Sequence, residues 1–529
     1  QTLTVTCEAP AHGGAFVART EQGVIFVRHG IVGEQAEVRI TAIGPKRRFY
    51  FADVVSVPVP SLSRRPHPWI QADALATEQE RAAATGVPEL LGGMEYGHIS
   101  LAEQRRYKTD IVRTQINRLG GLPLESPLLT NLIVEELPLR GNNEGLSWRT
   151  RVRYNVTKIR TQPDNEPDNQ KNGGKKSPAV TWRVGMHPYR ASQPVPVVDF
   201  PLAAPELRNL ELEKLNLRGV REVEATVSSR GRILLQFIVD PRFSIEEVAK
   251  DIEQQAADAW GLLAKRKISL FFTPQSTSNG NPKRRRPGSS HTPYRRVPEG
   301  DQLLGAGLRS VTEEVTFGSR RFSYQVSAGG FWQIHRAAPS TMVGTMLTML
   351  RPQEGECTLD LYAGAGLFTA ALADAVGASG TVVSIEGSPV THKDALSNFA
   401  PDGCSRTENS ADTRIEVIRG DVARHLVDLK TALEFGEIPA IDAVVLDPSR
   451  EGANRTTLER LDALGPKRIL YVACDPASLG RDTGILRELG WDMVQLRAFD
   501  MYPNTHHVES VALFERAPAK PRPRRRRTK

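Results

Sequence analysis

The chain has 529 residues, 40% hydrophobic and 25% charged, with 43 glycines and 36 prolines. That is too long for one compact core and ordinary in composition for a globular protein, so several domains are expected. No stretch approaches the ~18 consecutive apolar residues of a membrane helix, and Cys7, Cys357, Cys404 and Cys474 lie too far apart for a disulfide framework or a paired-cysteine metal knuckle.

The net charge of +8 is unevenly placed: seven Lys/Arg and no acid fall within the last thirteen residues, and a second cluster stands at Lys283-Arg284-Arg285-Arg286. Such runs attract polyanions non-specifically, which points to nucleic acid as partner. The chain does not open on a basic segment followed by an apolar run, so a cytoplasmic protein is expected, and a monomer without membrane contact.

In chain order, residues 1–57 show β-rich runs with turn spacing, as in VIFVRHGIVGEQAEVRITAIG (24–44), and predict a small β-barrel. Residues 58–300 predict a central α+β domain. Its helix at 101–119 is expected to pack on the C-terminal domain, with Ser100 as N-cap, Glu103 completing a capping box, and Gly120-Gly121 as terminator. SWRTRVRYNV, AVTWRVG, EVEATVSS and RILLQFIVD read as its strands, and residues 162–177 and 273–296 as long surface insertions. From 301 to 516 strands alternate with helices: TLDLY, TVVSIE, RIEVIRG, DAVVLD and RILYVA, closed by the pair DMVQLRAF and VESVALFE. This predicts a doubly wound, Rossmann-like α/β sheet, followed by a basic tail at 517–529.

TLDLY runs into Ala363-Gly364-Ala365-Gly366 and then a helix. Glycines at 364 and 366 let backbone approach a ligand closely. Glu386 ends the next strand, 20 residues after Gly366, where an acid grips a ribose hydroxyl pair, and Asp421 is placed to meet an adenine edge. Thr369 replaces the third glycine of a dinucleotide fingerprint, so S-adenosylmethionine suits the loop better than a nicotinamide cofactor; a turn without ligand is the bland alternative. Two further strand ends reach the same crevice, Asp447-Pro448-Ser449-Arg450 and Cys474-Asp475-Pro476. A cysteine at a helix start, with Arg450 or Arg481 near, is placed for a lowered pKa and a nucleophilic role. A small buried hydrophobe is its equally weighted alternative. Arg450, rather than an aromatic residue, after Asp-Pro-Ser disfavours methylation of an exocyclic adenine amine. Adjacent His506 and His507 point oppositely on a strand and are not read as metal ligands.

LDLYAGAGLF, VVLDPSREGA, YVACDPASLGRD and HHVESVALFER, in this order and spacing, resemble the 5-methyluridine RNA methyltransferase family, and the N-terminal barrel resembles the TRAM domain of its ribosomal-RNA members. The resemblance implies a class I methyltransferase fold, S-adenosylmethionine as cofactor, and ribosomal RNA as substrate with transfer RNA as runner-up. It implies Cys474 as the nucleophile adding to uracil carbon 6 and Glu509 as the base removing the carbon-5 proton. Gln333, Tyr362, Glu386 and Asp447 fall on its cofactor positions, and Asp447 and Arg450 on the uracil edge. The family's Asp-Pro-Pro-Arg is Asp-Pro-Ser-Arg here, and its Cys-Asn-Pro is Cys-Asp-Pro, with Asp475 opposing thiolate formation unless it is paired. The iron–sulfur cysteines of some relatives are missing from Gly92–His98, so no cluster and no other metal is expected.

Arg149, Arg151 and Arg153 alternate along one strand and are expected to offer RNA one basic face, with Trp148, Tyr154 and Trp182 as stacking candidates. Arg28, Arg39, Lys46, Arg47 and Arg48 make the barrel a second candidate RNA surface. A non-catalytic RNA-binding protein on the same scaffold and a cytosine carbon-5 methyltransferase are the competing readings.

Overall fold

The structure, a computed structural model, describes residues 2–45, 48–139, 144–161, 179–189, 191–275, 309–399 and 413–517. Lys46, Arg47, Cys404, the cluster 283–286, the insertion 162–177 and residues 518–529 lie outside these. The expected insertion 273–296 begins too early: Thr273 is buried in the strand Ile268–Pro274, which pairs with Ile233–Val239, and residues 276 to 296 lie outside the described residues.

Among the described residues the first sheet has six strands, in the order Thr2–Thr6, Gln35–Ile43, Phe49–Val59, Gly23–Arg28, Phe16–Thr20, Ala9–Pro10. Val5, Phe16, Ile25, Val27, Val38 and Val54 fill its interior, and Tyr96, Ile99 and Tyr107 from the following segment close it. The second sheet carries the four expected central strands. A helical segment, Ile245–Lys267, kinked at Gly261, crosses over between Ile233–Val239 and Ile268–Pro274, which pair in parallel as such a crossover requires.

The third sheet has the order Arg414–Arg419, Thr381–Glu386, Cys357–Leu361, Ala443–Leu446, Arg468–Ala473, Glu509–Arg516, Trp491–Asp500, Val134–Glu136. It is the mixed α/β, Rossmann-like sheet expected. Its inner parallel strands are apolar on both faces because helices cover both, and Ala443–Leu446 is wholly buried. The strand order reverses between Cys357–Leu361 and Ala443–Leu446, which opens a crevice at their carboxyl ends. The eighth strand, Val134–Glu136, is too short for alternation to reveal and pairs with Asp500 and its neighbours from far away in the chain.

Helix Leu101–Gly120 lies against helix Pro476–Glu488. A Cβ on Gly480 would stand 2.5 Å from the Gln115 carbonyl oxygen, and one on Gly484 2.7 Å from that of Leu119, so two glycines one turn apart set this close approach. The expected capping box at Ser100 does not form: the Ser100 side chain makes no cap bond and Glu103 pairs with Arg106. A complete box stands instead at Thr77 and Glu80, opening helix Glu78–Thr85. Among the described residues no helix is long and apolar enough to cross a membrane.

Candidate active site at the strand ends

Leu361 passes into a turn in which Tyr362, Gly364 and Gly366 all have positive φ, at 64°, 60° and 93°. Tyr362 in this region is uncommon backbone for a bulky residue, a type of strain that concentrates at ligand sites. The two glycines differ in purpose. A Cβ on Gly366 would run into the Phe399 ring, whereas one on Gly364 would meet nothing nearer than Phe331 at 4.0 Å, on the open side. Gly364 donates its N–H to Glu386 Oε2 at 2.7 Å, and Ser388 N–H donates to Oε1 at 2.6 Å, so the turn and the acid are one unit. Thr369 holds Asp360, fully buried beneath the turn, by a 2.6 Å bond from its hydroxyl. A third glycine would leave that carboxylate without this bond.

Asp360, Glu386 and Asp447 form an acidic cluster. Burial, then the charge of Glu386, pushes Asp360 up to about 7, despite the Thr369 bonds that oppose the shift. Burial, then Asp360 and Glu386, pushes Asp447 up to about 7. Such a cluster favours a cationic ligand, and S-adenosylmethionine carries both a sulfonium and an ammonium group. Gln333 is buried, two residues after the Phe331 that faces Gly364. Asp421 is exposed and caps helix Val422–Glu434, accepting from the Arg424 N–H at 2.9 Å, so one of its oxygens is committed to structure.

Cys474 follows Ala473, which pairs with Ser510 directly after Glu509, so the ladder brings thiol and carboxyl to the same edge. Contrary to the expected lowering, burial pushes the Cys474 thiol up, with Glu509, Asp447 and Asp475 adding and Arg450 opposing. Arg481 turns away, to Asp482 and the Glu451 carbonyl, and ties the loop that carries Arg450. Burial and the charge of Asp447 hold the Glu509 carboxyl well above the usual range; Tyr502 donates to its Oε2 at 3.1 Å. Arg450 donates to His507 Nε2 at 3.1 Å. Asp475 is paired after all: His12 donates to its Oδ2 at 2.8 Å, while its Oδ1 caps helix Pro476–Glu488.

The loop 500–507 positions Tyr502 and His507. Lys108 reaches Asp500 at 2.6 Å and the Tyr502 carbonyl at 3.1 Å, with both charged side chains sealed from solvent. Gln104 accepts from the Asn504 N–H at 2.8 Å, and Asn504 donates to the Gly145 carbonyl at 2.8 Å. Sequence reasoning missed these residues. Gln104 and Lys108 share the helix face of Ile111, Val112 and Ile116, a polar interruption of an apolar stripe that could have exposed them.

The arginine strand is a correction. Arg151 is 8% exposed, donates to Thr226 Oγ1 at 3.0 Å and to the Gly330 carbonyl, and lies 3.6 Å from Glu224. Arg149 bonds the Arg151 carbonyl at 2.9 Å, and Trp148 and Tyr154 are core residues. These side chains hold the central sheet to the segment before the catalytic sheet and offer RNA no shared basic face, because the strand is covered on the side they occupy. Arg28 is likewise engaged, bidentate to Asp53 and over the Tyr189 ring, whereas Arg39 is exposed. Among the described residues no three His, Cys, Asp or Glu are grouped to hold a metal.

Residues 305–517 match the tRNA (uracil-5-)-methyltransferase family and residues 1–55 the TRAM domain. An uncharacterized RNA methyltransferase of Streptomyces avermitilis is 30% identical over 96% of this chain and 96% of its own. The 23S rRNA (uracil(1939)-C(5))-methyltransferase RlmD of a Shewanella species is 27% identical over 96% of this chain and 94% of its own. In fold, the chain is similar to the Pyrococcus abyssi tRNA (uracil-54, C5)-methyltransferase solved with S-adenosyl-L-homocysteine, at a TM-score of 0.58 and 16% identity over 96% of this chain and 99% of that one.

Proposed function

Because the chain belongs to the RNA (uracil-5-)-methyltransferase family, we propose that it methylates carbon 5 of a uridine in 23S ribosomal RNA by covalent catalysis through Cys474. The observation that carries this reading is the meeting of Cys474, Glu509, Asp447 and Arg450 at one edge, close enough for their charges to govern one another. The ribosomal substrate rests on the Shewanella relative, which is similar over nearly its whole length. The cytoplasm is the compartment such a substrate implies.

Gly364, with its open side, together with Gln333, Tyr362, Glu386, Asp421 and Asp447, would hold S-adenosylmethionine. That group supplies a methyl carried on a positively charged sulfur. Carbon 5 of uracil is too weak a nucleophile to take the methyl unaided. The Cys474 thiol gives up its proton to solvent and the thiolate adds to carbon 6; the carbon 5–carbon 6 π electrons move toward the carbonyl at carbon 4 as an enolate, and carbon 5 of that enolate becomes the nucleophile. Once carbon 5 is methylated, Glu509 removes its proton, the double bond re-forms, and the Cys474 thiolate is expelled. The electrostatics order these steps. Thiolate and carboxylate oppose one another; addition moves the negative charge from sulfur to the uracil enolate and methylation of carbon 5 neutralises it, which favours ionised Glu509 when a base is needed. Arg450 offsets the negative charge of this edge. The target base has to leave its stack to be reached from both faces, which favours a loop uridine.

The test is incubation of the purified protein with unmodified 23S and transfer RNA and labelled S-adenosylmethionine, followed by nucleoside analysis. Labelled 5-methyluridine in 23S RNA alone is expected, and absent with Cys474→Ser. Label only in transfer RNA changes the substrate, label in cytidine changes the reaction, and undiminished label with Cys474→Ser removes the covalent step.

A further inference from the structure

The first sheet reaches into the active site at one point. Between Ala9–Pro10 and Phe16–Thr20 the chain turns tightly, closed by a 2.8 Å bond from the Ala11 N–H to the Ala15 carbonyl. Gly13 and Gly14 carry the reversal with φ of 92° and 86°. The turn is built against the catalytic loop: a Cβ on Gly14 would stand 3.0 to 3.1 Å from three atoms of His506. It presents His12 across 463 residues of chain to Asp475, the neighbour of Cys474, at 2.8 Å. The two Asp475 oxygens are divided, one to the helix N-terminus and one to His12.

We propose that His12 is a positioning residue for methyl transfer: it fixes and neutralises the carboxylate beside the nucleophile, so that Cys474 is fully reactive only while the N-terminal sheet is docked. The inference rests on the nucleophilic role given to Cys474. It also accounts for a departure from the family pattern, since an asparagine at this position would need no neutralising partner. The charges around the thiol make the contribution matter. Glu509, Asp447 and Asp475 all oppose the thiolate and Arg450 favours it. Asp475 in turn faces His12, and His12 faces Asp475 and Arg450. The Asp475 bond holds the imidazole above its ordinary range and the pairing holds Asp475 below its own, so both shifts favour the ionic form of the pair.

The test uses the full chain as wild type, His12→Ala, Asp475→Asn, the double variant and His12→Lys. The rate at which iodoacetamide alkylates Cys474 is followed against pH by mass spectrometry of its peptide, alongside single-turnover RNA methylation. His12→Ala is expected to slow alkylation about tenfold at fixed pH, its profile moving up by about one unit. Asp475→Asn should react at least as fast as wild type, with or without His12, and His12→Lys should restore most of the lost rate. Equal losses from His12→Ala in the wild-type and Asp475→Asn backgrounds, or no loss at all, would overturn the proposal and leave His12 a docking contact. Undiminished methylation by Cys474→Ser would instead remove the covalent step, while the effect of His12 on alkylation still stood.

Discussion

The glycine crevice and the loop 500–507 lie at the same end of one sheet, yet they are built by opposite routes. The crevice is local. Its turn, its buried Asp360 and its Thr369 fall within ten residues, and Glu386 ends the next strand. The loop that positions Tyr502 and His507 is held by groups from far away: Gln104 and Lys108 on a helix nearly four hundred residues earlier in the chain, and Gly145 beyond it. A local device can be read from spacing, whereas a remote one is encoded only as polar residues in places that look apolar.

Glu509→Gln separates the two routes most sharply, because it removes the chemistry and keeps the shape. Tyr502 can still bond the amide, so the loop should stay in place. Turnover should fall on the order of 10³-fold, the scale of a lost general base. Methylated RNA should then accumulate on Cys474, visible as a protein–RNA band that survives denaturation. Fast turnover, or a dead protein without such a band, would show that Glu509 is not the base.

Lys108→Met attacks the remote route. It strands Asp500 in a place 1% exposed, and removing one partner of such a pair costs about 3–5 kcal/mol. Urea unfolding measures that loss, and the surviving folded fraction should methylate slowly because Tyr502 has lost its anchor. A variant as stable as wild type would mean that the ion pair does not organise the loop. Next in size is Gly480→Ala, whose methyl would press on the Gln115 carbonyl and part the helix bearing Lys108 from the helix that follows Cys474. Overpacking of this kind costs about 1–3 kcal/mol, read as a lower melting temperature; an unchanged melting temperature would count against glycine-set packing.

The same contrast explains what was legible in the sequence. The parallel strands of the catalytic sheet were, because each is a short β-rich run between helix signals, and so was the ordered set of motifs that carry Cys474 and Glu509. Val134–Glu136 was not, since three residues give no period. Arg149, Arg151 and Arg153 misled because Arg149 lies before the strand, which begins at Arg151, and because alternation says nothing of what covers a side; Glu224 and the Gly330 carbonyl do, for Arg151. The pairing of Asp475 was foreseen only as a condition, and no local pattern names His12. The thiol pKa goes the opposite way from expectation because burial, the largest cause, is not displayed by the sequence, and Glu509 and Asp447 add to it from other strands while Arg450 alone opposes.

The smallest expected effect belongs to the local device and has a definite sign. Asp447, pushed up to about 7 by burial and by Asp360 and Glu386, is protonated in mildly acidic solution, and ionising it without a counter-charge costs the fold. A carboxyl whose folded pKa exceeds its unfolded value contributes stability that is lost as pH rises through that interval, so these acids make the ligand-free protein less stable at pH 8 than at pH 5. A cationic ligand reverses the balance by favouring the ionised form. S-adenosylmethionine should therefore bind more tightly as pH rises from 5 to 7 and level off above, releasing protons on binding where the acids are still protonated. Calorimetry in two buffers of different ionisation enthalpy counts them. Asp447→Asn should weaken binding several-fold at pH 8 and release about one proton fewer at pH 6, with Asp360 accounting for what remains. Binding that weakened as pH rose, or an unaltered proton count in the variant, would mean that the acidic cluster does not hold the cation.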